Sequence, residues 1–241
     1  MISLSGRGRP AFLASVTSAD EAETALHAGA DVIDAKDPSS GALGALDAEV
    51  VREIVERIAG RAPVSATVGD LPADPAKLVA AARSMASTGV DLVKVGFFGD
   101  ADPRLAIAAL GEADLGRARL VAVLMADRGP DFALLPHLAR HGFTGAMLDT
   151  ADKANGRLTT VLAADRVAAF VTAAHAANLF AGLAGSLRKT DIAGLARLRP
   201  DVLGFRGALC AEGRATALDP TRVAAVRAAL DTDPLREKSV A

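Results

Sequence analysis

The 241-residue chain has one cysteine, no tryptophan, no tyrosine and no marked excess of either charge. A lone Cys210 excludes a disulfide framework and a cysteine-rich zinc site, and it suits a reducing compartment. Eight phenylalanines without Trp or Tyr leave little for stacking on bases. The 27 Lys plus Arg are offset by 29 Asp plus Glu, so the cationic excess of a nucleic-acid binder is missing as well. Hydrophobic residues make up 51 % of the chain, more than a disordered segment carries. The longest apolar run, Leu120–Ala126, falls far short of the roughly 18 residues that span a bilayer. Met1–Ser5 lacks the charged start and apolar stretch of a signal peptide. The expectation is a soluble cytoplasmic protein with neither nucleic acid nor membrane as partner.

Histidine and lysine are also scarce. His27, His137, His141 and His175 all fall within or at the ends of helical patterns, so neither His-dependent catalysis nor a His-ligated metal is expected. No metal or other cofactor is anticipated. Of the 27 cationic residues only six are lysines: Lys36, Lys77, Lys94, Lys153, Lys189 and Lys238. Arginine can neither lose its proton nor form an imine, so where it has taken most cationic positions the remaining lysines are worth locating.

Short β-branched or apolar runs alternate with longer Ala-rich amphipathic stretches, the pattern of βα units around a parallel sheet. Eight strands are predicted, at Phe12–Val16, Val32–Lys36, Val64–Thr67, Leu92–Val95, Leu120–Leu124, Gly145–Asp149, Phe180–Leu183 and Val202–Phe205. Helical patterns follow them near Asp20–His27, Asp47–Ile58, Asp74–Ser87, Pro103–Leu110, Phe132–Arg140, Thr159–Ala174, Arg188–Leu198 and Asp219–Leu230. Gly29, Gly89 and Gly142 each stand where a left-handed residue would end a helix just before the next strand. Eight such units fit a single (β/α)8 TIM barrel, which takes roughly 250 residues. A doubly wound sheet would place a Gly-rich phosphate turn after its first strand, and Val16-Thr17-Ser18-Ala19-Asp20 has no glycine. Residues 1–241 therefore read as one domain, with 231–241 a flexible tail.

Active sites in such barrels lie at the C-terminal ends of the strands. There the second strand offers Asp34 and Lys36 on one face, the fourth Lys94, the sixth Asp149, and the following loop Lys153. Lys77, Lys189 and Lys238 fall outside this mouth. Amines crowded by other cations and partly withdrawn from water deprotonate more readily, as imine chemistry with an aldehyde or ketone requires. The competing reading is a ring of ordinary ion pairs. Gly185 and Ser186 after strand seven, and Arg206 and Gly207 after strand eight, occupy the usual phosphate position of the fold; glycines that merely make tight turns are the alternative. Ser65, Thr67 and Asp70 offer polar contacts to a substrate, although Asp70 also suits a turn cap. The small-residue loop Ser39–Ala45 either closes over a substrate or simply spans to the next helix. Cys210 reads as a buried thiol, having neither a His nor a second Cys beside it.

The run Asp34-Ala35-Lys36-Asp37-Pro38-Ser39-Ser40-Gly41-Ala42-Leu43-Gly44, with Ser65-Ala66-Thr67-Val68-Gly69-Asp70 and Gly89-Val90-Asp91-Leu92-Val93-Lys94-Val95-Gly96, resembles the (5-formylfuran-3-yl)methyl phosphate synthases. The likeness extends over nearly the whole chain. It implies a TIM-barrel lyase that condenses two molecules of glyceraldehyde 3-phosphate, with loss of phosphate and water, in the biosynthesis of methanofuran-type cofactors. It further implies a Schiff base on Lys36, proton acceptance by Lys94, and supporting roles for Asp34, Asp149 and Lys153. The partner would be a small phosphorylated molecule. Two rivals remain at this stage: another aldolase-like or isomerase reaction on a phosphosugar, and a non-catalytic barrel that binds a phosphometabolite. Apolar residues on the outer helices are compatible with self-association into a homo-oligomer.

Overall fold

Four helices start where a side-chain cap directs them. Ser18, Asp47, Asp74 and Asp219 accept main-chain N–H bonds in the first turns of α1 (Ala19–His27), α2 (Ala48–Ile58), α3 (Pro75–Ala86) and α9 (Pro220–Asp231). Such caps stabilise a helix by about 1 kcal/mol each. Gly29, Gly89 and Gly142 have φ of +92°, +90° and +78°, and Asn178 takes the same left-handed turn at φ +58° where no glycine marks the junction.

The computed structural model describes residues 8–99, 101–152 and 155–232. Its remaining elements are β1 (Ala11–Val16), β2 (Val32–Ala35), β3 (Val64–Thr67), β4 (Leu92–Phe97), α4 (Arg104–Glu112), β5 (Arg119–Met125), α5 (Leu135–Arg140), β6 (Gly145–Asp149), α6 (Leu158–Val161), α7 (Ala164–Ala176), β7 (Phe180–Leu183), α8 (Ile192–Ala196) and β8 (Val202–Phe205). The eight strands are parallel and close into a barrel through pairing of β1 with β8, as at Leu13 with Gly204. The fold is a (β/α)8 TIM barrel.

Side-chain alternation divides the apolar residues between two cores. Along β5, Leu120, Ala122 and Leu124 face the helices, whereas Val121, Val123 and Met125 fill the barrel with Leu13, Val32, Leu92 and Met147. On the inward track of β1 to β4 and β6, polar residues replace apolar ones toward the C-terminal end: Ser15, Asp34, Ser65, Thr67, Lys94 and Asp149, all buried.

Three helical segments differ from the sequence pattern. The stretch expected from Thr159 to Ala174 is two helices, broken where Leu162 and Ala163 adopt extended backbone. The first of them is tied to the loop after β7 by the Leu158 N–H to Gly185 carbonyl bond of 2.9 Å and by Arg157 to Asp191 at 2.9 Å, so it cannot share the axis of α7. The regions before α5 and α8 begin as 3-10 turns, Phe132–Leu134 and Lys189–Asp191. Asp231, expected to open a flexible tail, instead closes α9 and pairs with Arg227 and Arg9 at 2.9 Å each, and residues 233–241 lie outside the described residues.

Two carboxylates stitch the N-terminal strand to the closing elements. Asp31 accepts from Arg9 (2.8 Å), the Phe12 N–H (2.9 Å) and Arg227 (3.0 Å). Glu21 accepts from the Thr17 N–H, the Leu218 N–H and Arg206. Burial by itself raises both pKa values, but for Glu21 the Arg206 and Thr17 bonds, and for Asp31 the Arg9 and Phe12 bonds, outweigh it and leave each below the ordinary carboxylate value. A folded-state pKa below the unfolded one contributes stability that is present above the unfolded value, near about 4, and fades as pH falls toward the folded value. The urea midpoint should thus be flat above about pH 5 and decline below about pH 4. Glu21→Gln should flatten part of that decline; an unchanged slope in that variant would refute the assignment.

Candidate active site

The polar inward track brings two lysines and two aspartates together in pairs. Asp34, on β2, is fully buried and accepts four bonds: Lys94 Nζ to Oδ1 (3.0 Å) and Oδ2 (2.9 Å), Ser65 Oγ to Oδ1 (2.6 Å) and Ser15 Oγ to Oδ2 (2.9 Å). Lys36 stands one residue beyond β2, continuing the ladder through its N–H to Val16 carbonyl bond of 3.0 Å. Its Nζ reaches Asp149 Oδ2 at 3.1 Å, and Asp149 Oδ1 accepts the Thr150 N–H at 2.7 Å. The two pairs differ in freedom: Lys94 grips both oxygens of a carboxylate that is otherwise saturated, whereas Lys36 touches one oxygen at the edge of the cavity. Lys153 lies outside the described residues.

Above these pairs opens a cavity of about 730 Å³ at the C-terminal end of the barrel, within the size range of small-molecule sites. Asp34, Lys36, Lys94, Asp149, Gly185, Ser186, Arg206 and Gly207 all line it. Ser65 reaches it only through its bond to Asp34. Thr67 and Asp70 stay outside and hold the Ser39–Ala45 loop: Thr67 Oγ1 donates to the Gly44 carbonyl (2.8 Å), and Asp70 accepts the N–H groups of Ala42 (2.8 Å) and Leu43 (2.7 Å). Leu43 is buried in the barrel interior, over Gly96, where a Cβ would come within 2.5 Å of it. Of the two readings the loop left open, the structure supports the fixed span.

Arg206 is engaged differently from expectation. Its Nε donates to the Arg214 carbonyl, Nη1 to the Ser15 carbonyl and Glu21, and Nη2 to Glu21 and the Thr216 carbonyl, which uses all five N–H donors. It builds the wall at the β8–β1 seam and has no donor left for an anion. The cationic side chains facing the cavity without a carboxylate partner, among the described residues, are Arg188, Lys189 and Arg214, the last bonded to the Gly41 carbonyl at 2.9 Å. None of the three stood out in the sequence, and Lys189 was placed away from the mouth; the 3-10 turn after β7 brings it back. Strand alternation from Leu13 could have found Ser15, but no spacing rule marks loop cations.

Gly185 and Ser186 carry φ of +103° and +52°. A Cβ on Gly185 would approach Thr150 to 3.0 Å, so this glycine is needed for close packing of the β7 loop on the end of β6 as well as for its backbone. Left-handed backbone at a non-glycine such as Ser186 costs on the order of 1 kcal/mol and tends to cluster at ligand sites. Cys210 is buried, its thiol donating to the Arg206 carbonyl at 3.3 Å; desolvation pushes its pKa up, opposite to what a nucleophile needs. Among the described residues, no group of three or more His, Cys, Asp or Glu is arranged to hold a metal ion. No helix among them is long and apolar enough to cross a membrane.

Solved TIM barrels superpose with low identity, which speaks to fold alone. Phosphoribosyl anthranilate isomerase from Thermus thermophilus gives a TM-score of 0.65 at 17 % identity, covering 91 % of this chain and 98 % of its own. A 3-hexulose-6-phosphate synthase gives 0.63 at 17 %, covering 91 % and 99 %. Sequence relatives are far nearer. A protein of Methylorubrum extorquens is 46 % identical over 227 residues, 94 % of each chain. The (5-formylfuran-3-yl)methyl phosphate synthase of Methanopyrus kandleri is 37 % identical over 216 residues, 85 % of this chain and 91 % of its own. The model of the 4-HFC-P synthase family matches residues 12–227, spanning both lysine–aspartate pairs and the cationic loops after β7 and β8. The chain belongs to the 4-HFC-P synthase family.

Proposed function

We propose that this protein is a Schiff-base lyase that condenses two molecules of glyceraldehyde 3-phosphate into (5-formylfuran-3-yl)methyl phosphate, with loss of phosphate and water, in methanofuran-type cofactor biosynthesis. The observation that carries the reading is the pairing of Lys36 with Asp149 and of Lys94 with Asp34 at the floor of a cation-rimmed cavity. Lys36 is the better nucleophile candidate, because one contact to one carboxylate oxygen is readily exchanged, and Asp149 is within reach to take the ammonium proton. An imine on Lys36 makes the neighbouring substrate C–H acidic; Lys94, once its ammonium has passed a proton to Asp34, accepts that proton as a neutral amine held in place by the same carboxyl group. Elimination of phosphate and dehydration then lead to the aromatic ring. Arg188, Lys189 and Arg214, with the main chain around Gly185, Ser186 and Gly207, provide the charge for a phosphate group.

Incubation with glyceraldehyde 3-phosphate alone should release inorganic phosphate and an ultraviolet-absorbing aldehyde with the mass of the phosphorylated furan. Turnover to a product without the furan chromophore would assign another phosphosugar reaction. Binding without phosphate release would leave only a phosphometabolite-binding barrel.

A further inference from the structure

The carboxylate of Asp127 stands in the 3-10 turn Ala126–Arg128 that follows β5, and it belongs to neither lysine pair. Its Oδ1 accepts the Ala151 N–H at 2.7 Å and its Oδ2 the Asp152 N–H at 2.8 Å. The N–H just before these, on Thr150, donates to Asp149 Oδ1 at 2.7 Å. Three successive main-chain donors at the end of β6 are therefore held by two carboxylates, and both oxygens of Asp127 are in use. Hydrogen bonds to an ionised acceptor are roughly twice as strong as neutral ones.

These contacts form one chain leading to the reactive amine. β5 and β6 are in register at Met125 with Asp149, so Asp127 lies two residues past the partner of Asp149. Its two bonds fix the peptide planes immediately after Thr150. The Thr150 N–H in turn orients Asp149 Oδ1, and that sets where Oδ2 meets Lys36 Nζ at 3.1 Å. Among the described residues no Lys or Arg pairs with Asp127, so its charge is directed at this backbone segment. We propose that Asp127 is a positioning residue for the Lys36–Asp149 pair, acting through the main chain of residues 150–152 and not by contact with substrate. The inference rests on the Schiff-base reading above.

The test compares the full-length wild type with Asp127→Asn, which keeps one acceptor oxygen, and Asp127→Ala, which keeps none. With glyceraldehyde 3-phosphate and borohydride, the rate of covalent adduct formation on Lys36 should fall about 10²-fold in Asp127→Ala, because a carboxylate displaced by about 1 Å loses that much. The kcat should fall in parallel while KM changes less than about 3-fold, with Asp127→Asn in between. Amide exchange at Ala151 and Asp152 should speed up in both variants. A wild-type adduct rate in Asp127→Ala overturns the proposal. So does an activity loss that disappears at assay temperatures well below the melting transition, since that marks a purely structural cap. If the wild type itself forms no adduct, the Schiff-base reading fails and takes this inference with it.

Discussion

Lys36→Arg should lose turnover by roughly 10⁴-fold or more while folding normally, because removing a covalent nucleophile costs that much even when binding is untouched. Arginine keeps the positive charge and can keep the ion pair with Asp149, so the buried carboxylate is not left alone. What it cannot do is form an imine, since guanidinium does not give up its proton. The variant thus separates the charge of Lys36 from its amine chemistry. Lys36 is close to the cavity surface, so the extra atoms of arginine can extend into open volume without repacking the barrel. Turnover should be measured with borohydride trapping and a melting curve on the same preparation. Activity within tenfold of wild type would remove Lys36 as the nucleophile, and a trapped adduct would then have to be sought on another lysine.

Asp34→Ala should be the most destabilising single change in the site. It leaves the Lys94 ammonium, about 4 % exposed, with its carboxylate gone, and strips the hydroxyls of Ser15 and Ser65 of their acceptor. Breaking one side of a buried pair typically costs about 3–5 kcal/mol, equivalent to a drop of roughly 10 °C in Tm for a chain of this size. The double variant Asp34→Ala, Lys94→Met removes the stranded charge and should recover most of that loss, while remaining inactive. Because the pair is out of water, added salt should rescue neither protein. Differential scanning calorimetry of the four members of the cycle gives the coupling directly. A double variant no more stable than Asp34→Ala would mean that the ion pair is not what holds this end of the barrel.

The eight strands were legible because each is short and rich in apolar residues, and β2 to β8 each follow a helix stop. Those are local properties, and they place β3, β6, β7 and β8 at their observed limits. Helix interiors were less legible. The break between α6 and α7 is imposed by bonds from Leu158 and Arg157 to a loop nearly thirty residues or more further along the chain, which no window over Thr159–Ala174 contains. The site divided along the same line. Asp34, Lys36, Lys94 and Asp149 could be placed at the mouth from alternation and strand order. That Lys94 belongs with Asp34 and Lys36 with Asp149 depends on barrel stagger, and so on tertiary structure.

The loop cations mark the limit most clearly. Arg206 sits at the phosphate position of the fold, yet Glu21, from the first helix, and three carbonyls take up its donors. Arg188, Lys189 and Arg214 face the cavity instead. Sequence alone determined the barrel, the placing of Asp34, Lys36, Lys94 and Asp149 at its mouth and the family motif, because periodicity and turn chemistry act over a few residues. Only the tertiary structure decided which charges are consumed in building the walls and which remain facing the ligand space, because that division depends on partners as distant as Glu21 and Arg206, brought within hydrogen-bond distance by closure of the barrel.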